Sequence, residues 1–172
     1  MKNSFYVVVA VCVGIILYAV NMFYYNYYII LGNNGEHFIL ENKELYEKAL
    51  RYLEDEHNDS YNPDKSEEKY HFFITYDGFG MTEKDGYKYA YMWVLAESHY
   101  LKDGEIKDGS AYSVFHKFKF KDDEVVSYQV PQDGSYYTKS IEEMCIDKGM
   151  SNKVLNYNLK LSLDKEVKDY YK

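Results

Sequence analysis

Cysteine is scarce in this 172-residue chain: Cys12 lies in an apolar N-terminal run and Cys145 in a distant polar part, so no intramolecular disulfide pairs them. The roughly 140 residues beyond the apolar run must therefore rely on their own core, and that length suffices. Charge is missing altogether from Phe5 to Leu31, and acidic residues are missing before Glu36. Positive charge is in deficit elsewhere. Beyond residue 32, 19 basic side chains face 28 acidic ones. A domain of that sign repels nucleic acid and anionic lipid surfaces, which excludes a DNA- or RNA-gripping role. Ligand spacing for an EF-hand is absent despite five Asp-Gly pairs, no zinc-ligand pattern occurs, and no nucleophile–base pair can be named. No internal repeat is visible. The sequence thus predicts no enzyme, no metal and no cofactor.

What is present begins with Tyr87–Leu101, fifteen residues without Gly or Pro. Tyr87, Tyr89, Tyr91, Trp93, Leu95, Glu97 and His99 alternate with Lys88, Ala90, Met92, Val94, Ala96, Ser98 and Tyr100. Period-2 alternation of aromatics marks a strand packed on one face, and this one reads as the centre of a sheet. The 22 tyrosines fit an AT-rich coding composition, so their number alone is no argument for carbohydrate binding.

Residues 1–31 read as a transmembrane signal anchor. Phe5 to Tyr25 supplies 21 residues interrupted only by Asn21, enough to span a bilayer. Tyr18, Phe23, Tyr24, Tyr25, Tyr27 and Tyr28 fit an aromatic belt. No small-x-small site precedes a cleavage point, and Val11 stands where a lipobox before Cys12 needs a small residue. Lys2 is the nearby positive charge, which places the N-terminus in the cytoplasm and the remainder outside. Residues 32–36 then form a linker, and 37–172 an extracytoplasmic domain.

Along that domain, Asn42–Glu56 carries Leu45, Ala49, Tyr52 and Leu53 at helical spacing, with Asn42 as cap and the acidic end fraying. Tyr70–Tyr76 is a first strand, and Asp77-Gly78 with Asp85-Gly86 brackets a turn region before the central strand. Asp103-Gly104 and Asp108-Gly109 mark the next reversal, Ala111–Lys121 is the third strand, Asp122-Asp123 a tight turn, and Val125–Val130 the fourth strand. Ser140-Ile141-Glu142-Glu143 reads as a capping box opening a short helix that Gly149 ends. Residues 151–172 lean to helix.

The candidate binding surface comprises Tyr87, Tyr89, Tyr91, Glu97, His99 and His116. Pairing the second and third strands around residues 102–109 puts His116 opposite Leu95 and diagonal to Glu97, and brings Phe118 near Trp93. Ser98 beside His99 is no dyad, because neighbours on a strand point apart. Cys145 reads as a small core residue. The aromatic stripe reads as core beneath the Asn42–Glu56 helix, with a sugar or peptide groove as the alternative.

Tyr91–Glu97 (YMWVLAE), Gly109-Ser110 with Lys117–Lys121 (KFKFK), Val125–Tyr128 (VVSY) and Pro131–Ile141 (PQDGSYYTKSI) resemble a family of uncharacterised single-pass membrane proteins of low-GC Gram-positive bacteria. The likeness covers roughly residues 70–155. The family's pattern has Phe-Pro after the short helix and a Pro within strand three, where this chain has Cys145-Ile146 and Phe115-His116. The resemblance implies an anchored domain without catalytic residues.

The fold expected is α+β: an N-terminal transmembrane helix, one helix, a four-stranded antiparallel meander and C-terminal helices, with a cystatin-like architecture as analogy. The function expected is a non-enzymatic, membrane-tethered extracytoplasmic module binding a protein or cell-envelope component. Its other partner is the lipid bilayer, through residues 5–25. One alternative is a sensor or accessory subunit contacting a membrane complex through Asn21, Asn26 and Cys12. Another is a metal-dependent hydrolase using His99 and His116.

Overall fold

The computed structural model describes residues 36–60 and 70–172. The expected anchor and all of the linker except Glu36 lie outside the described residues. Among the described helices none is long and apolar enough to cross a membrane.

The domain is α+β, with one antiparallel sheet of five strands in sequential order. They are β1 (His37–Ile39), β2 (Tyr70–Lys84), β3 (Tyr87–Lys102), β4 (Glu105–Lys121) and β5 (Glu124–Gln129). The expected count of four missed β1, which is three residues long and too short to show alternation; it pairs with Thr82 and its neighbours on β2. Helix α1 (Lys43–Ser60) comes before the meander, and α2 (Tyr137–Met144), α3 (Lys148–Leu155) and α4 (Asp164–Tyr170) follow it.

The turns form where Asp and Gly make positive φ cheap. Asp85-Gly86 and Asp103-Gly104 hold φ of 53° and 73°, and 53° and 79°, the two-residue geometry whose twist matches paired strands. Asp122-Asp123 does the same without Gly, at 50° and 61°, as Asp tolerates. The remaining three Asp-Gly pairs work otherwise: Asp133-Gly134 leads into a 3-10 turn over Gly134–Tyr136, with Gly134 at a φ of 70°. Asp77-Gly78 and Asp108-Gly109 lie inside long strands, next to interruptions of register at Gly78/Gly80 and near Glu97/His99. Strands β2 and β4 are therefore longer than their alternation suggested.

The sheet is covered on both faces. Asn42 caps helix α1, its Oδ1 accepting the Glu44 N–H at 3.0 Å. It lays Leu45, Tyr46, Ala49 and Leu53 on Met81, Ala90, Met92, Val94, Phe118 and Phe120. This is the face of small β3 side chains, so the expectation that α1 covers the aromatic stripe is corrected: Ala90 and Met92 leave room for a helix at close range. The acidic end does not fray at Glu56. The helix continues to Ser60, held where His57 packs edge-on to Phe72 and Tyr112 and Glu56 accepts from the Tyr128 hydroxyl.

The aromatic face is covered by the C-terminal helices: Tyr91 and Phe115 pack on Ile141, Met144, Cys145, Ile146, Met150 and Val154. A smaller cluster joins Phe73 and Leu95 to Leu163, which caps α4, and to Val167 within it. Ser140 does not open a helix. It lies in the first turn of α2, donating to the Tyr137 carbonyl and accepting the Gln132 N–H. Gly149 sits inside α3, which Asp147 caps by accepting from the Met150 N–H at 2.7 Å. Residues 156–163 between α3 and α4 are not helical.

Candidate functional site

Side-chain placement follows the β3–β4 register. Tyr91 faces Lys117, Tyr89 faces Lys119 and Trp93 faces Phe115. Across β5, Lys117 pairs with Gln129 and Lys119 with Ser127, and across β2, Tyr87 pairs with Lys84. One end of the C-terminal face is thus a patch drawn from four strands, alternating tyrosine with lysine. It forms an open cleft of about 340 Å³ lined by Glu36, Lys84, Tyr87, Tyr89, Lys117 and Lys119. Asp85, Ser127 and Gln129 complete its rim.

Glu36 forms the buried wall. Its residue is 7% exposed, and its carboxylate receives three donors: the Tyr91 hydroxyl at 2.5 Å, the Thr82 hydroxyl at 3.0 Å and the Lys117 ammonium at 2.9 Å. Burial opposes ionisation, yet the hydrogen bonds from Tyr91 and Lys117, with the Lys117 charge, outweigh it and hold the Glu36 carboxyl below its usual range. The Tyr91 phenol is pushed up by burial and by donating to that carboxylate. Lys117 also lies 4.7 Å from the centre of the Tyr89 ring and 5.0 Å from that of Tyr91, so the rings favour the ammonium that grips Glu36. Burial raises the nearby Cys145 thiol to about 12, which keeps it protonated and unreactive.

Further along the patch Lys119 stands 3.8 Å from the centre of the Tyr87 ring, and Lys121 stands 5.1 Å from it. No ion pair holds Lys84 or Lys119 among the described residues, whereas Lys88, on the opposite face, pairs with Asp123. The cleft can therefore attract an anion and donate hydrogen bonds to it.

The six residues expected to form one surface separate into three places. Tyr87 and Tyr89 line the cleft, and Tyr91 is fully buried behind it. Glu97 and His99 lie at the other end of the sheet: His99 Nε2 is 3.3 Å from Glu97 and its Nδ1 is 3.2 Å from Asp108. That Nδ1 contact lacks the alignment of a hydrogen bond. Tyr171 donates to the His99 carbonyl, and His71, opposite His99 in register, stacks on Tyr170 at 4.1 Å. His116 pairs with Met92 rather than Leu95 and lies beneath α1 on the opposite face. The geometry does not bring it to His99. The residue is 2% exposed, and burial lowers the pKa of its imidazole to about 4. Among the described residues no group of three His, Cys, Asp or Glu side chains is arranged to hold a metal.

Trp93 is half-buried. Its indole N–H donates to the Ser113 hydroxyl at 2.7 Å and its ring lies against Tyr157, not Phe118. The aromatic stripe is core at Tyr91 and cleft at Tyr87 and Tyr89. Sequence reasoning missed Glu36, Lys84, Lys117 and Lys119. The lysines had a signal in their alternation through KFKFK, which needs only the right register to meet the tyrosines. Glu36 had none, because it meets Lys117 across 81 positions. Compared with known proteins, the chain matches no family model, no curated protein and no solved structure.

Proposed function

We propose that the chain is a membrane-tethered extracytoplasmic binding module without catalytic activity, held by residues 5–25 and presenting the tyrosine–lysine cleft to its ligand. The observation that carries this reading is the position of Glu36. It is the cleft's buried wall, and it follows the end of the uncharged run at Leu31 by five residues. At ~3.3–3.6 Å per residue those five residues reach at most about 18 Å, and the eleven that separate Glu36 from Tyr25, where the proposed span ends, at most about 40 Å, so the tether keeps the cleft within reach of the bilayer surface. The titratable groups in the wall and behind it support binding rather than turnover. Glu36 is committed to three donors, and burial keeps the Tyr91 and Cys145 protons in place.

Three measurements test the reading in cells making the full chain. Carbonate extraction with intact-mass analysis should leave an uncleaved chain in the membrane fraction, and protease added to cells stripped of their wall should digest the domain. A photo-crosslinking amino acid at Tyr87 should then capture a discrete adduct that the same group at Tyr136, an exposed position on the 3-10 turn, does not. A soluble or protease-protected chain would refute the tether, and identical adduct patterns at both positions would refute the cleft as ligand surface.

A further inference from the structure

We propose that the cleft binds a phosphate group, held between Lys84 and Lys119 with Ser127 and Gln129 as hydrogen-bond donors; the inference rests on the reading of the cleft as the ligand surface.

The chemistry of the lining selects the ligand. Glu36 already neutralises Lys117, at 2.9 Å. It also shows what the patch accepts, because an oxyanion of the chain itself fills the position between Tyr91 and Lys117. The next ammoniums outward, on Lys84 and Lys119, have no carboxylate paired with them among the described residues, and Asp85 is the one other acid on the rim. Lys121 adds a further ammonium beside the Tyr87 ring. Lysine is a compact point charge that suits phosphate, and nothing here offers the planar fork of an arginine. Lys119 already covers the face of Tyr87 and Lys117 that of Tyr89. A flat ligand stacking there would have to displace these ammoniums, which argues against an aromatic or sugar platform and for a small charged group.

The chain's net charge of −8 works against a broad anionic surface. It confines attraction to this local cluster and predicts that moderate salt, by screening the distant repulsion, changes binding little, whereas high salt weakens it. A phosphate of this kind has two sources near a tether: the headgroup of an anionic lipid, or a soluble phosphate ester.

The test uses the full chain in lipid nanodiscs. In one arm the bilayer is phosphatidylcholine, whose phosphate is compensated by its own cation, and glycerol 3-phosphate is titrated in. In the other the bilayer contains phosphatidylglycerol and nothing is added. The reactivity of each lysine toward an amine-acylating reagent is read by mass spectrometry. Lys84 and Lys119 should be protected several-fold in at least one arm while Lys139, exposed and paired with Glu143, is unchanged. Protection in the first arm assigns a soluble ester, and protection only in the second assigns a lipid headgroup. The double variant K84Q/K119Q should lose at least tenfold in affinity for the protecting species, and K139Q should lose none. The footprint on the unaltered chain stands even where the double variant fails to fold. No protection in either arm, or equal protection at Lys139, overturns the phosphate site. That result leaves the tether and the Tyr87 adduct untouched, whereas release from the membrane by carbonate would refute the tether whatever the lysines report.

Discussion

Removing the Lys117 ammonium tests whether the Glu36 wall holds the sheet to its N-terminal strand. In Lys117→Met the stem can still lie along Tyr89 and Tyr91, but a carboxylate 7% exposed keeps only its Tyr91 and Thr82 hydrogen bonds. Breaking one partner of a buried pair costs about 3–5 kcal/mol. The two remaining donors and a side-chain exposure near a tenth on both partners put the value at the low end, about 3 kcal/mol. With a urea slope of about 2 kcal/mol per M for a domain of this size, the midpoint should fall by about 1.5 M. Glu36→Gln should cost less, about 2 kcal/mol, because the stranded ammonium still faces two rings. The double variant should recover about 1–2 kcal/mol relative to the sum. Trp93, the only tryptophan, reports unfolding by its fluorescence in the full chain held in mild detergent. Acid offers an independent check. The Glu36 carboxyl is depressed in the folded state, so its stabilisation is complete above the unfolded value of about 4.3 and is lost as pH falls through the folded value. The Lys117 variant should show a weaker loss there. Single substitutions that each shift stability by less than about 0.5 kcal/mol, and that add without coupling, would refute the assignment of this pair as a structural unit.

Three further outcomes follow from the packing. His116 folds neutral with a pKa lowered to about 4, so the unfolded chain binds its proton first. Stability should be complete above pH ~6.5 and fall by about 3 kcal/mol as pH drops toward 4, and urea melts of His116→Phe should show that slope flattened. Gly109→Ala would place a methyl 2.3 Å from the Ser98 hydroxyl and 3.0 Å from its carbonyl; urea melts should show a loss of about 1–3 kcal/mol, and adding Ser98→Ala should not restore it, because the carbonyl stays. Trp93→Ala should cost about 2 kcal/mol, below the range for a fully buried aromatic, and proteolysis near Tyr157 should accelerate as its ring contact is lost.

Much of the fold was legible because its signals are local. Asp85-Gly86, Asp103-Gly104 and Asp122-Asp123 mark the three hairpin turns by their tolerance of positive φ, and the Leu45–Ala49–Leu53 spacing marks α1. What was not legible is the facing of the strands, and for β4 the reason is one residue. Leaving the Asp103-Gly104 turn, His99 pairs with Asp108. Were that register continued, Tyr91 would meet His116, and the lysines of β4 would point under α1. Instead Ser98 faces both Gly109 and Ser110: its hydroxyl accepts the Ser110 N–H at 2.7 Å, and the close approach admits no side chain at Gly109. The extra residue turns the rest of β4 over, as a one-residue shift must. A second insertion at Phe79 does the same for β2.

The candidate site is a product of that reversal. After it, Lys117 and Lys119 lie on the face of Tyr89 and Tyr91, while His116, Phe118 and Phe120 lie with Ala90 and Met92 beneath α1. Read with an unbroken register, the alternation His116–Phe118–Phe120 belongs with the aromatic stripe and suggests a histidine site beside Glu97. Read with the bulge, those residues become core and the intervening lysines become the lining of a cleft. An Asp-Gly pair announces a bend without saying whether the chain reverses there, as at Asp103-Gly104, or absorbs one more residue and carries on, as at Asp108-Gly109. The difference lies in Ser98, eleven positions away, whose hydroxyl is available to satisfy the backbone of the extra residue. A tertiary hydrogen bond of that kind thus determines which side chains can meet a ligand.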